Sequence, residues 1–233
     1  VKDDAPPADR AYAFVEGLHL RQWALRVVVP LAALATNGSG RLDAPWLPRH
    51  DAPAVFAPAE TGLRVAGVAL VVAAAALRVL AKGVLVRKTT LTTGGVYGVV
   101  RHPFYLANLV GAVGTFLCAG ALGAAVCAAW LVVAAPIYAA TVRGEERALA
   151  RLFPSEFAAY AARVRALVPG LPPRVGERTA VTWSNLVLER EPPRLLRFVA
   201  GAAVVFGLTF AGAASAVVLG AAALLFAVSY FVD

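Results

Sequence analysis

The feature that most constrains this chain is an apolar block of double length, residues 104–142, with Gly120 and Gly123 near its centre. A membrane span needs about 20 apolar residues, with a lower limit near 17. The block therefore reads as a tight helical hairpin, two spans joined by almost no loop. Residues 62–81, GLRVAGVALVVAAAALRVLA, form a further span, and residues 195–232 repeat the hairpin pattern with AGAAS at 211–215 as the turn. Residues 23–36 are shorter and are interrupted by Arg26 and Pro30, so this first segment either spans or lies in the interface. The expected fold is all-α: a polytopic membrane helical bundle of five to six spans.

Composition agrees. The chain is 60% hydrophobic and only 15% charged, whereas a soluble domain carries about 25% charged residues. The first ten residues, VKDDAPPADR, are acidic and proline-rich, which does not fit a signal peptide. Cys118 and Cys127 both fall inside apolar runs, where a thiol behaves as a small hydrophobe, and no spacing suggests a disulfide or a metal site.

The formal net charge is +8. No nucleic-acid motif accompanies it, and in a membrane protein Lys and Arg mark the cytoplasmic loops and the anionic lipid face. Segment 143–197 is rich in arginine, and the loop at 83–103 adds Arg87, Lys88 and Arg101. With six spans, both basic loops and both termini fall on the cytoplasmic side, as expected for a bacterial inner-membrane protein. Alanine and glycine throughout the spans, including GAVG at 111–114, permit close helix packing.

This topology brings two polar clusters to one face of the membrane. The first is Arg101-His102-Pro103, at the lip of the apolar block. The second lies in TVRGEERALARLFPSEFAAYAARVRALVPGLPP, residues 141–173, where Glu145 and Glu146 close the span. Beyond them apolar residues recur at helical spacing, Leu149, Leu152/Phe153, Phe157, Tyr160/Ala161 and Val164, with Pro154 restarting the helix at its first turn. Basic residues at a helix end are ordinarily anchors. A pair of carboxylates at the same lip runs against the surrounding positive charge and points to a ligand.

Such a quartet matches the chemistry of S-adenosylmethionine. Its carboxylate and ammonium would find opposite charges by charge-assisted hydrogen bonds. Nearby aromatic residues, Tyr97, Tyr105, Phe153 and Tyr160, would cover the adenine or face the sulfonium. A lipophilic acceptor would enter sideways from the bilayer.

The run GGVYGVVRHPFYLAN resembles the G-x-Y-x-x-x-R-H-P-x-Y signature of the isoprenylcysteine carboxyl methyltransferase and phospholipid methyltransferase superfamily of membrane enzymes. EERALARLFPSEFAAYAARVRALVPGLPP resembles the second signature of the same superfamily, and together the resemblance covers about residues 60–175. It implies a cofactor pocket formed by Arg101, His102, Tyr105, Glu145 and Glu146, with Tyr97 and Tyr160 at its edge. It further implies Arg163 near the acceptor, although a snorkelling surface base has the same sequence appearance.

The expected organisation is an N-terminal segment over 1–60, a methyltransferase-like core over 61–175, and an amphipathic connector with a helical hairpin over 176–233. In the connector, Trp183, Asn185, Glu189 and Glu191 rest on the membrane or meet an acceptor headgroup. The expected reaction is methyl transfer to an isoprenoid, prenylcysteine-like or phospholipid-like acceptor. His102 is the proton acceptor if the nucleophile is an amine or hydroxyl, and Arg163 or Arg101 the positive partner if it is a carboxylate. No G-x-G-x-x-G follows a strand, which excludes the soluble type of cofactor fold. Two rivals remain. One is a membrane sterol or enone reductase using NADPH, against which the paired glutamates count, since phosphates prefer cations. The other is a non-catalytic membrane scaffold.

Overall fold

The computed structural model describes Glu16 and residues 19–38, 57–85, 90–170 and 200–201. The second hairpin expected over 195–232, apart from 200–201, and the connector with Trp183, Asn185, Glu189 and Glu191 lie outside the described residues. Among the described residues the chain is all-helical, with no strand. The helices are α1 (Leu20–Arg26), α2 (Val28–Gly38), α3 (Ala57–Val84), α4 (Pro103–Cys118), α5 (Gly120–Leu152) and α6 (Pro154–Arg163), with a 3-10 turn at Gly95–Gly98.

Two of them contain stretches long and apolar enough to cross a bilayer, Thr61–Val84 and Gly120–Leu152, while Pro103–Cys118 is apolar but shorter. Large aliphatic side chains stand exposed along the two long helices: Val65 and Val72 on α3, Val132 and Val133 on α5. In water such rows would be costly; in lipid they are the expected outer surface. The segment around residues 23–36 is divided in two. α1 ends at Arg26 and α2 begins at Val28, placing Pro30 in the first turn of α2, where its missing N–H has no helical partner to lose.

The hairpin forms as the apolar block predicts, with Ala119 alone between α4 and α5. Gly120 takes φ 78°, a left-handed conformation that a side chain would strain. The glutamate pair does not follow the span but rides on it: α5 runs unbroken for 33 residues, about 50 Å at 1.5 Å per residue. That exceeds a hydrocarbon core of about 30 Å, so one continuous helix, with Pro136 inside it, carries both an apolar stretch and the carboxylates.

The chain divides into two compact units. The first comprises Val1–Leu25, Leu77–Leu106 and Val132–Glu189, and the second Arg26–Ala76, Ala107–Leu131 and Arg190–Asp233. In the second unit α3 and α4 meet backbone to backbone. A Cβ on Gly67 would come within 2.7 Å of both the Cys118 nitrogen and the Gly114 oxygen, and a Cβ on Gly114 within 2.7 Å of the Gly67 oxygen. Gly114 of the GAVG stretch is thus a packing residue, as its sequence suggests.

In the first unit α6 closes the chain over the glutamate-bearing end of α5. Pro154 occupies its first turn, and Phe157, Tyr160 and Val164 form a small core flanked by Leu91, Leu149, Phe153 and Ala161. After α6 the chain returns through a series of bends beside the 3-10 turn. The amides of Arg101 and His102 donate to the carbonyls of Arg165 and Ala166 at 2.9 and 3.0 Å, and the Gly170 amide donates to the Val99 carbonyl at 2.9 Å. These bonds fix the register between the two halves of the candidate site.

Candidate functional site

Pro103 begins α4, so Arg101 and His102 are held just before the first turn, while Tyr105 lies within it. Glu145 and Glu146 come from the distal part of α5. All five side chains belong to the first compact unit, and they converge.

Glu146 is the hub. Its Oε1 accepts from Arg101 Nε at 3.0 Å and from Arg101 Nη2 at 2.7 Å, and lies 3.1 Å from His102 Nε2. The remaining guanidinium nitrogen, Nη1, donates to the carbonyls of Ala161 and Val164, each at 2.7 Å. Arg101 thus ties α5 to the C-terminal end of α6, where carbonyls lack helical partners.

Glu145 is different. It accepts a hydrogen bond from the Tyr105 hydroxyl, and its second oxygen stands 3.7 Å from His102 Nδ1. Its side chain is 44% exposed, against 6% for His102 and 3% for Tyr105. The His102 and Tyr105 rings stack with centroids 5.8 Å apart, and Tyr138 meets Tyr105 edge-on at 5.9 Å. The site is a buried aromatic and imidazole floor with one accessible carboxylate.

The other sequence-predicted residues make different contacts. The Tyr97 ring is buried beside Ala81 and Val84, and its carbonyl accepts a 2.7 Å bond from the Tyr160 hydroxyl. Burial pushes the Tyr160 phenol above its ordinary pKa, with Arg101 opposing and Glu146 adding to the shift. Arg163 is not part of the cluster. With Leu91, Thr93, Glu156, Ala159 and Tyr160 it lines a separate small cavity of about 200 Å³.

Two participants were not legible from the motifs. Tyr138 precedes Glu145 by two turns on the same helix, so helical periodicity alone could have found it. Arg21 could not have been found that way. It lies on α1, and its Nη1 donates to the Tyr105 hydroxyl at 2.7 Å across 84 residues of chain.

The comparisons fit this geometry. Residues 83–156 match the family described as Phospholipid methyltransferase. The matched segment contains Arg101, His102, Tyr105, Glu145 and Glu146, so the superfamily resemblance read from the two signatures is borne out over it. The family suggests a membrane methyltransferase.

Among curated proteins, the chain is 42% identical over 93 residues to the cobalt-zinc-cadmium resistance protein CzcN of Cupriavidus metallidurans, covering 40% of this chain and 42% of that protein. It is also 42% identical over 87 residues to the nickel-cobalt-cadmium resistance protein NccN of Alcaligenes xylosoxydans xylosoxydans, covering 36% of this chain and 38% of that protein. The matched region thus spans less than half the length of either relative. No solved structure matches the chain.

Proposed function

We propose that the protein is an integral membrane methyltransferase that uses S-adenosylmethionine to methylate a lipophilic acceptor. The observation that carries this reading is the convergence of the Arg101-His102 pair and the Glu145-Glu146 pair on one another, within the segment that matches the methyltransferase family. Core residues 61–175 contain the whole cluster.

The donor set fits the cofactor. Glu145 keeps an accessible carboxylate for an ammonium group, while Tyr105 and His102 fix its orientation. When bound, S-adenosylmethionine supplies an electrophilic methyl group. The protein contributes alignment of donor and acceptor and, where the nucleophile bears a proton, a place for that proton to go.

His102 supplies that place through a defined nitrogen. Glu146 is an acceptor held by Arg101, so in the tautomer that donates from Nε2 to it, Nδ1 is the acceptor atom of the ring. Nδ1 is also the nitrogen nearer the exposed carboxylate of Glu145. Arg101, with all three of its nitrogens engaged, acts by holding Glu146 and α6 rather than by meeting substrate.

An acceptor arriving through the bilayer is supported by the lipid-type exposed faces of α3 and α5 and by the family's phospholipid description. The arginine-rich segment 143–197 supports a cytoplasmic site. Among the described residues no group of three or more His, Cys, Asp or Glu is arranged to hold a metal.

The test is calorimetric titration of detergent-purified protein with S-adenosylmethionine and S-adenosylhomocysteine, alongside Glu145→Gln. Saturable binding that is weakened in the folded variant is expected. Absence of binding to well-folded protein in a lipid-like environment would sink the reading.

A further inference from the structure

Resting on the donor reading above, we infer that Arg21 receives the carboxylate of the methyl donor's amino-acid end, a role the sequence motifs would give to Arg101.

Two observations carry this. The first is that four of the five N–H groups of Arg101 are already engaged. Its Nε and Nη2 converge on Glu146, and its Nη1 on the Ala161 and Val164 carbonyls. Only one Nη2 N–H is left, so a carboxylate taking the two-bond fork of Arg101 would have to break a bond that joins α5 to α6.

The second is the placement of Arg21. Its Nη1 donates to the Tyr105 hydroxyl at 2.7 Å, and its guanidinium carbon lies 5.2 Å from the centroid of the Tyr105 ring. The same hydroxyl donates to Glu145. Arg21 and Glu145 are thus held on either side of one phenol oxygen, and no ion pair joins them among the described residues. Arg21 is only partly buried. A cation and a carboxylate set one hydroxyl apart form the complement of an α-amino acid, whose ammonium and carboxylate share one carbon. Arginine's planar fork suits the carboxylate, and Glu145 suits the ammonium.

The position of Arg21 is set by packing. α1 presents Ala24 buried, three residues on from Arg21, so both lie on the inward face of that short helix. Tyr105, nearly fully buried, is a rigid post against which the arginine rests.

The test pairs the ligand's charge with the protein's. S-adenosylhomocysteine and its decarboxylated analogue, which keeps the adenosine, sulfur and amine, are titrated by calorimetry into the full-length protein and into Arg21→Gln. Wild type is expected to favour the carboxylate-bearing ligand by about 10- to 100-fold, the strength of a charge-assisted contact. Arg21→Gln is expected to lose that preference while binding the decarboxylated analogue as wild type does. Equal affinity of wild type for the two ligands overturns the inference with no variant needed. A preference that survives in Arg21→Gln overturns it as well. If wild type binds neither ligand, the donor reading itself has failed, an outcome separate from either of these.

Discussion

Arg101 and Glu146, separated by 45 residues in the chain, are joined by two guanidinium nitrogens on a single carboxylate oxygen, at 3.0 and 2.7 Å. The same arginine holds two carbonyls at the end of α6. Its position in a methyltransferase signature suggests a ligand contact, yet its bonds make it the joint between the two motifs.

Arg101→Ala should therefore destabilise the protein before it affects chemistry. Both side chains are mostly buried, and the change leaves Glu146 with His102 alone and removes the arginine donor from two carbonyls. A loss of about 2–4 kcal/mol is expected, read as a lowered midpoint in a denaturant titration of the detergent-solubilised protein. A midpoint unchanged beside weakened donor binding would show that the arginine serves the ligand instead.

Glu145→Gln should behave in the opposite way. The side chain is half-exposed and tied only through Tyr105 and His102, so its stability effect should be small. Donor affinity should fall by roughly tenfold or more, as expected when a charge-assisted contact becomes a neutral one. Thermal unfolding and calorimetry on the same preparation separate the two effects.

The Tyr160 phenol should resist ionisation. Burial raises its pKa above the ordinary value, so the folded state keeps a proton that the unfolded chain gives up near pH 10. Its contribution is full below that pH and is lost as pH rises through the folded-state pKa. Tyr160→Phe should flatten the alkaline fall in stability. It should also cost about 1–2 kcal/mol at neutral pH, because the Tyr97 carbonyl loses its 2.7 Å donor. Unfolding titrations at neutral and alkaline pH check both statements.

The α3–α4 contact should tolerate no side chain. Gly67→Ala and Gly114→Ala each place a Cβ within 2.7 Å of a backbone atom, and a loss of about 1–3 kcal/mol is expected from overpacking. Gly62→Ala is the control, with nothing within 4 Å of the added carbon. It should be neutral or stabilising by about 0.5–1 kcal/mol, the usual helix gain over glycine. Equal gains at all three positions would show that helix propensity, not close approach, sets the effect.

Much of this protein is written along the chain. The length of the 104–142 block requires two helices, and Gly120 marks where they turn. Pro154 restarts a helix because proline's missing N–H is harmless in a first turn. The spacing of Phe157 and Tyr160 gives α6 its buried face, against which Leu149 and Phe153 pack. The two signatures also identify the five residues that converge. Each of these depends on local geometry or on the apolar length a bilayer demands, and both are readable from neighbours in sequence.

Tertiary structure alone decided how the five divide their work. Periodicity places Arg101 and His102 at a helix entrance but does not specify which oxygen each will meet. That depended on α6 folding back so that its last carbonyls reached Arg101. The same holds for Arg163, which lines a small cavity together with Tyr160 of the same helix, apart from the Arg101–Glu146 contacts. It holds most strongly for Arg21, brought to Tyr105 from 84 residues away. A hydrogen bond needs its partners within about 3 Å. Sequence patterns fix positions on one helix to that precision, whereas packing between helices is set by every side chain that fills the contact.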